Sequence, residues 1–599
     1  MRHQSPVPFP EAARHSPAMV AEPSIDGESG QAYSPLTLRE DQMHPCFSAA
    51  EIARVRAFGV LRRWRTDDYV VRTGDAAAGM VVILKGRVRV LQRDGFDRTT
   101  LIAEHGPGYF MGDIGQLAGR PQLVDGIALE DVEALVIAPE RLRAVMVAEA
   151  ELGERIMRAL ILRRTGLIER GRGPTLFGHS DEPRVLLLQA FLRRNNHPHT
   201  VIDIDKDADA LHLLSRTAFT SSDLPLVVCP GGTVLRRPDT GQLASCLGLL
   251  PEFQANQVYD VAVVGAGPAG LATAVYAASE GLCVTVLDSL SPGGQAGASS
   301  RIENYLGFPT GVSGQSLASR AYAQAQKFGA HIAIPLEVTG LECGGQGGGN
   351  GAGNGRDRHG DAPQGMAGGI HRIMLKDGRS VSAKTVVIAS GAAYRRPPIP
   401  RLADFEGRGV YYWASPVEAR LCARQEVVLV GGGNSAGQAA VYLATHAAHV
   451  HVVIRGPGLE QSMSRYLIDR IASQPNITVH PHRELTELHG DCQLREVTVR
   501  DRTTDTLARM AVRHVFLFTG AEPNTGWLQS CHIDLDAKGF VLTGRGLGQP
   551  GSAGAASMET SVPGVFAVGD VRSGSTKRVA TAVGEGAAVV SQIHAYLTV

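Results

Sequence analysis

The chain has 599 residues, 44% of them hydrophobic, which is enough for several domains with ordinary cores. Its 59 Lys and Arg residues balance its 59 Asp and Glu residues, which argues against nucleic acid as the main partner. The sequence has no apolar run long enough to span a membrane and no signal-peptide pattern, so we expect a cytoplasmic protein.

The eight cysteines contain no Cys-x-x-Cys motif. Their spacing predicts neither a metal site nor a local redox pair, and reduced thiols are the expectation for a cytosolic chain. Cys229 and Cys246 could meet only through the tertiary fold, so a distant redox pair stays open as a minor alternative.

Residues 1–40 are rich in Pro, Ser, Ala and Glu and predict a disordered tail. Residues 41–165 predict a domain in which short strands precede one long helical region at Pro139–Arg164. This order indicates a small β-barrel closed by helices.

Two segments of this domain, Val82–Val88 and Gly106–Ile114, resemble the cyclic-nucleotide-binding domain. Gly112 fits the phosphate cassette of that family, and Asp113 replaces its ribose-binding glutamate with a shorter acid. Gln122 stands where the family has the arginine that pairs with the cyclic phosphate, and an amide cannot replace that bidentate partner. We predict that the fold is kept, that cyclic nucleotides bind weakly or not at all, and that the domain is a docking module.

Residues 166–180 predict a linker, and residues 181–252 resemble a thioredoxin-like domain with Pro225 at the position of the family's cis-proline. The predicted elements are a strand at Val185–Leu188, a helix through Arg194, a strand from Thr200, a helix from Asp207 to about Arg216, a hairpin and a helix from Gly241. The expected place of the family's dithiol, residues 188–194, contains no cysteine. Without a dithiol this segment cannot act as a thiol–disulfide enzyme, so we predict a structural or docking role for it.

The segment Val261–Gly270 is an apolar strand that ends in Gly-x-Gly-x-x-Gly and precedes a predicted helix. Gly265 permits a tight turn, Gly267 lets a pyrophosphate approach the backbone, and Gly270 lets the helix pack on the strand. The next strand ends at Asp288, whose carboxylate can accept hydrogen bonds from a ribose. The motif predicts a dinucleotide site but does not separate FAD from NAD.

A second fingerprint follows the strand Glu426–Val430 and comprises Gly431, Gly433, Asn434, Ser435 and Ala436. The strand after it is followed by Arg455 instead of an acid. An arginine can bind the 2′-phosphate of NADP, so NADPH is favoured and NADH remains possible.

Residues 258–599 resemble the low-molecular-weight thioredoxin reductases in both fingerprints and in the segment Val562–Asp570, which matches the family's second FAD motif. The resemblance implies an FAD domain built from residues 258–402 and 521–599, with an NAD(P) domain inserted at 403–520. The FAD-binding residues that it implies are Gly265, Gly267, Pro268, Ala269, Gly270, Asp288, Gly294, Gln295, Asn304, Gly391, Gly569, Asp570, Arg578, Val579 and Ala580. Residues 344–369, rich in Gly and Asn, interrupt the pattern and predict a disordered insertion.

The two cysteine positions of the family's redox dithiol are occupied by Trp413 and Pro416. No catalytic residue can therefore be assigned, and the electron acceptor stays open between a small molecule and a redox protein. The resemblance also implies a homodimer.

The predicted fold class is α/β, with two doubly wound dinucleotide-binding domains preceded by a β-barrel and a small thioredoxin-like α/β domain. The predicted function is that of an FAD-dependent NAD(P)H oxidoreductase resembling thioredoxin-disulfide reductase, without a metal. The alternative is a flavin-binding regulatory or scaffold protein with a sensor-like N-terminal domain.

Overall fold

The computed structural model describes most of the chain, and residues 41–599 form one compact unit. The described residues are 39–93, 99–170, 173–180, 182–207, 220–251, 253–254, 256–344, 369–544 and 557–598. The predicted tail at 1–40, the predicted insertion at 344–369 and the predicted helix over about 207–216 fall almost entirely outside these residues and stay predictions.

The barrel near the N-terminus consists of β1 (Val60–Trp64), β2 (Tyr69–Val71), β3 (Met80–Lys85), β4 (Val88–Arg93), β5 (Thr99–His105), β6 (Phe110–Met111), β7 (Asp125–Ala128) and β8 (Val132–Ile137). These strands form two antiparallel sheets in the orders β1-β8-β3-β6 and β2-β7-β4-β5. Along β4, Val88 and Val90 are buried while Arg89 is exposed, so one face of the strand packs into the core. The predicted β-rich fold is confirmed.

The helices described up to residue 170 are α1 (Glu40–Met43), α2 (Ala49–Val55), α3 (Pro139–Ala148) and α4 (Ala150–Glu169). The prediction of one continuous helical region from Pro139 is wrong, because the backbone leaves the helical conformation at Glu149. The break lets α4 pack closely on α3, since a Cβ at Gly153 would lie only 2.8 Å from the Met146 Cα. Helix α4 also extends into the predicted linker.

The next domain consists of β9 (Thr175–Gly178), α5 (Pro183–Arg194), β10 (Thr200–Asp203), β11 (Leu226–Val228), β12 (Val234–Arg236) and α6 (Thr240–Cys246). The sheet order is β10-β9-β11-β12, with β9 and β10 parallel and β11 antiparallel to both of its neighbours. The Leu224–Pro225 peptide bond is cis. We refer to this region as the small domain.

The predicted position of the first strand of the small domain is wrong. It lies at Thr175–Gly178, inside the predicted linker, whereas Val185–Leu188 is helical because Pro183 begins a helix there. The stretch between the first strand and its helix is therefore 179–182, and this stretch also lacks cysteine. The likeness to a thioredoxin-like domain stays a prediction.

The third domain begins with β13 (Val258–Val264), α7 (Pro268–Ser279), β14 (Val284–Leu287), α8 (Gly294–Gly297), α9 (Gly314–Lys327), β15 (His331–Ala333), β16 (Val338–Glu342), β17 (His371–Leu375), β18 (Ser380–Ile388), β19 (Ala392–Tyr394) and α10 (Leu402–Phe405). Strands β13, β14, β15 and β18 are parallel, and each is largely buried, as expected for a sheet covered on both faces.

A second nucleotide-binding domain follows, with β20 (Val410–Tyr411), α11 (Pro416–Leu421), β21 (Glu426–Val430), α12 (Asn434–Ala444), β22 (His449–Val453), α13 (Arg465–Ser473), β23 (Ile477–His480), β24 (Arg483–Gly490), β25 (Leu494–Asp501), β26 (Leu507–Met510) and β27 (His514–Leu517). Its parallel sheet has the order β20-β27-β21-β22-β23, and β24, β25 and β26 form a separate antiparallel sheet.

The chain then returns to the third domain with β28 (Ala521–Pro523), β29 (Val565–Ala567) and α14 (Val579–Leu597). Strand β29 pairs in parallel with β18, and β28 pairs with β19. Helices α14 and α7 approach closely, because a Cβ at Gly586 would overlap the backbone oxygen of Ala269. The predicted pair of doubly wound α/β sheets is confirmed.

Four of the eight cysteines form disulfides, Cys229 with Cys246 and Cys343 with Cys531, across Cα–Cα distances of 6.3 and 6.0 Å. The expectation of reduced thiols is therefore wrong for these four, and the pair left as a minor alternative is formed. The partners are 17 and 188 residues apart, so only the tertiary fold brings them together.

Candidate active site

The first glycine turn, between β13 and α7, has the geometry of a nucleotide cradle. Gly265 has a φ of 111°, and a Cβ there would overlap the Ala389 carbonyl. A Cβ at Gly270 would overlap the Gly265 carbonyl, so this glycine serves the packing of the helix on its strand. A Cβ at Gly267 would meet nothing within 4 Å, so this position faces open space beside the start of α7. Open space at a helix N-terminus fits a diphosphate.

Asp288, at the end of β14, is held by the backbone around it. Its Oδ2 accepts a hydrogen bond from Ala266 N at 2.8 Å, and its Oδ1 accepts from Leu290 N at 2.8 Å and Ser291 N at 3.2 Å. Burial raises the pKa of Asp288, and these three donors oppose that rise. The carboxylate therefore fixes the turns on either side of it and lines the cavity described next.

A cavity of about 850 Å³ opens in front of this turn. Fourteen of the fifteen FAD-binding residues predicted from the sequence line it: Gly265, Gly267, Pro268, Ala269, Asp288, Gly294, Gln295, Asn304, Gly391, Gly569, Asp570, Arg578, Val579 and Ala580. The remaining one, Gly270, lies in the packing between helix and strand. Gln295 donates its side-chain N–H to the Ala392 carbonyl, which ties α8 to the crossover after β18. The shape and the lining residues fit FAD.

The turn at Gly569 and Asp570 is supported by a carboxylate from α14. Glu585 Oε2 accepts a hydrogen bond from Gly569 N at 2.6 Å, and Glu585 Oε1 pairs with Arg572 Nη2 at 2.6 Å. The side chain of Glu585 is buried, so its charge is balanced locally by Arg572. Burial raises the pKa of Asp570, and nearby Lys577 opposes that rise.

The second fingerprint shares two features with the first: a glycine with positive φ after the strand and open space at the glycine before the helix. Gly431 has a φ of 139°, and a Cβ at Gly433 would meet nothing within 4 Å. Of its predicted NAD(P) residues, Asn434 and Ser435 at the start of α12 also line the cavity, whereas Gly431, Gly433, Ala436 and Arg455 do not. The Arg455 side chain is exposed just beyond β22. Arg465, a possible second phosphate ligand, pairs with Asp469 at 2.8 Å.

The two family dithiol positions follow β20, the first in the connecting loop and the second in α11. Trp413 lines the cavity, and its Nε1 donates to Glu418 Oε1 at 3.0 Å. Pro416 is the first residue of α11. Cys422 is fully buried, and burial raises the pKa of its thiol to about 11, which keeps it protonated and unreactive near neutral pH. Among the described residues that line the cavity there is no cysteine.

The cassette of the barrel is occupied by contacts within the protein. Asp113 Oδ2 pairs with Arg164 Nη2 at 2.8 Å, and the buried Asp125 pairs with Arg93 Nη2 at 3.2 Å. Gln122 is buried. The neighbouring Arg120 reaches out of the barrel and donates to the Tyr322 hydroxyl on α9.

Arg194, Tyr394 and Lys577 are among the cavity residues that escaped the sequence analysis. Lys577 directly precedes the predicted Arg578, and Tyr394 lies on β19 after the predicted crossover, so an extension of each motif would have found them. Arg194 belongs to the small domain, and no local signal in the sequence connects it to the nucleotide fingerprints.

Within the described residues, no helix is long and apolar enough to cross a membrane. The same residues contain no cluster of three or more His, Cys, Asp or Glu side chains that could hold a metal ion.

Comparison with known proteins places the chain among flavoenzymes. Residues 259–586 match the pyridine nucleotide-disulphide oxidoreductase family, and residues 61–149 match the cyclic nucleotide-binding domain. The thioredoxin reductase of Mycoplasmopsis pulmonis is 30% identical over 332 residues, which cover 55% of this chain and 95% of that protein. The thioredoxin reductase of Treponema pallidum is 31% identical over 339 residues, which cover 57% of this chain and 97% of that protein. The crystal structure of T. acidophilum thioredoxin reductase is 28% identical and covers 57% of this chain and 100% of its own, with a TM-score of 0.49.

The match to the first family extends over more than half of the chain and includes both glycine turns and the segment around Asp570. Enzymes of the thioredoxin reductase family use FAD and NADPH. The chain therefore belongs to the pyridine nucleotide-disulphide oxidoreductase family and is a thioredoxin-reductase-like, FAD- and NAD(P)-dependent oxidoreductase.

Proposed function

We propose that this enzyme delivers electrons from NAD(P)H to an acceptor that reacts directly at the cavity, without a dithiol relay. The observation that carries the proposal is Trp413, which lines the cavity at the first dithiol position. A relay needs one thiol to attack an external disulfide and a second thiol to resolve it. Neither residue 413 nor residue 416 is a cysteine, and the buried Cys422 thiol is held protonated.

The roles of the residues follow from their positions. We propose that Gly267 and the start of α7 receive the diphosphate of FAD, and that Asp288, Gln295 and Asp570 orient the cofactor. Bound FAD supplies the hydride-accepting chemistry. Asn434 and Ser435 belong to the second fingerprint and line the same cavity, so they are suited to hold NAD(P)H beside the first site.

Trp413 gives the acceptor side of the cavity an aromatic wall. Its side chain is 41% exposed, and Glu418 fixes the indole through the Nε1 hydrogen bond and also accepts from Ser415 N at 3.0 Å. A rigid aromatic surface suits a small planar acceptor such as a quinone, and it leaves access for oxygen or for a one-electron carrier protein.

The barrel contributes a docking role in this proposal. Its cassette segment contacts α9 of the third domain through Arg120 and Tyr322. A cassette that is packed against a neighbouring domain is suited to hold domains together. This observation favours an enzyme with docked accessory domains over the alternative of a sensor or scaffold protein.

The proposal is tested by anaerobic reduction followed by an acceptor screen. We expect NADPH to bleach the flavin absorbance rapidly, and we expect quinones or oxygen to restore it equally well in a variant with all eight cysteines replaced. The same variant serves as the control in an assay with a panel of thioredoxins. Fast thioredoxin-dependent turnover that disappears in the cysteine-free variant would contradict the proposal.

A further inference from the structure

The small domain contacts the third domain, which carries the first glycine turn and is called the flavin domain from here on. The contact is made by the C-terminal end of helix α5. Asn195 Nδ2 donates to Leu290 O at 3.2 Å, next to the end of β14. From the other side, Gln315 Nε2 on α9 donates to Arg194 O at 3.0 Å and to Asn196 Oδ1 at 2.9 Å. Asn196 in turn donates to Ser319 Oγ at 2.5 Å. Polar contacts on both sides therefore fix this end of α5.

These contacts bring the Arg194 side chain into the cavity beside the first glycine turn. Its Nη2 donates to Gly294 O at 3.2 Å. Gly294 itself lies against the turn, because a Cβ there would be 3.2 Å from the Gly267 Cα. Gly293 N also donates to Ala266 O at 2.7 Å, which ties the two segments together. The guanidinium group therefore lies next to the part of the cavity that fits a diphosphate.

Arg194 is one of the cations that line the cavity, and the carboxylates of Asp288 and Glu418 lie near enough to act on its charge. Four cationic residues line the cavity: Arg194, Arg396, Lys577 and Arg578. Arg396 pairs with Glu406 at 3.0 Å, and Lys577 donates to the Asp570 carbonyl, so both are engaged elsewhere. Arg194 is bonded to a neutral carbonyl on the segment that packs against Gly267, and its guanidinium carbon lies 5.9 Å from the centre of the Trp413 ring.

We propose that Arg194 of the small domain is part of the FAD site and supplies positive charge to the diphosphate. The guanidinium group of an arginine suits a diphosphate, because its N–H donors can bind two phosphate oxygens through parallel hydrogen bonds. The small domain then completes the cofactor site of the neighbouring domain. This inference rests on the binding of FAD and does not depend on the identity of the acceptor.

The test compares FAD dissociation constants of the full-length apoprotein, measured by flavin fluorescence quenching. We expect Arg194→Met, which keeps the bulk and removes the charge, to weaken FAD binding about tenfold or more. Arg194→Lys should weaken FAD binding less than Arg194→Met, because lysine keeps the charge but lacks the fork of N–H donors. The matched control is Arg184→Met on the same helix, where the arginine donates to Arg237 O within the small domain, and FAD affinity should not change.

Circular dichroism of each apoprotein shows whether the variant is folded. An unchanged FAD affinity in Arg194→Met would overturn the inference, and so would equal losses in the Met and Lys variants of a folded protein, since packing alone would then explain the effect. Failure of the parent protein to bind FAD would instead contradict the cofactor assignment itself. The two failures are therefore distinguishable.

Discussion

Asp113 and Arg164 form an ion pair of 2.8 Å inside the barrel, between the cassette and helix α4. Both side chains are largely buried, so the pair is shielded from water and the charge of Asp113 is balanced by Arg164. A ribose that approached Asp113 would have to compete with this partner.

We therefore expect cyclic AMP and cyclic GMP to bind weakly or not at all. Gln122 cannot provide the charged fork that a cyclic phosphate needs, and the buried Asp125 adds a carboxylate to the same region. Isothermal titration of the full-length protein with each nucleotide measures this directly. Micromolar affinity would show that the cassette has been placed on the wrong residues.

The second prediction concerns the choice of nicotinamide cofactor. NADPH should reduce the flavin faster than NADH, and Arg455→Ala should lower this preference about tenfold with little effect on NADH, because one charge-assisted hydrogen bond is lost. Stopped-flow reduction at 450 nm is the assay. Arg509→Ala is the control, since Arg509 pairs with Glu496 at 3.1 Å on the antiparallel sheet. Equal rates with both cofactors in the parent protein would refute the assignment.

The third prediction uses two glycines of α14. Gly586→Ala should destabilise the flavin domain by about 1–3 kcal/mol, because the new methyl group would push α14 away from α7. Gly584→Ala, one half-turn away, meets nothing within 4 Å and should be neutral or stabilise by up to about 1 kcal/mol. Urea denaturation followed by flavin fluorescence gives both values, and equal effects at the two positions would contradict the packing.

The fourth prediction counts thiols. In denaturant without reductant the protein should show four free thiols, those of Cys46, Cys283, Cys422 and Cys492, and eight after reduction. In the native state Cys422 should be protected, because it is fully buried. Titration with a chromogenic disulfide reagent measures each number. A count of eight in protein prepared without reductant would contradict both disulfides.

The sequence predicted many of the residues that line the cavity, because glycine turns and strand ends follow local rules. Gly265, Gly267 and Asp288 were assigned from spacing, and the structure places all three around one cavity. Arg194 could not be found in this way, since its place depends on how α5 packs against another domain. The Cys343–Cys531 disulfide was missed for the same reason, and the Cys229–Cys246 disulfide was named only as an alternative. At Glu149 the packing of α4 on α3 overrides local helix propensity. In the small domain the helix was misread as a strand because the start signal at Pro183 was not used.

The return of the chain to its third domain has a consequence for synthesis on the ribosome. Strand β29 and helix α14 complete the sheet and the flavin cavity, yet they are made after the whole inserted domain at 403–520. During this interval β18 is paired with β13 and β17 but lacks β29, and α7 lacks the cover of α14, so apolar surface around Ala269 stays open to water. The inserted domain, whose strands are contiguous in sequence, can fold first. The nascent chain therefore passes through a stage in which the cavity is incomplete, and this stage ends only after Val579–Leu597 has emerged.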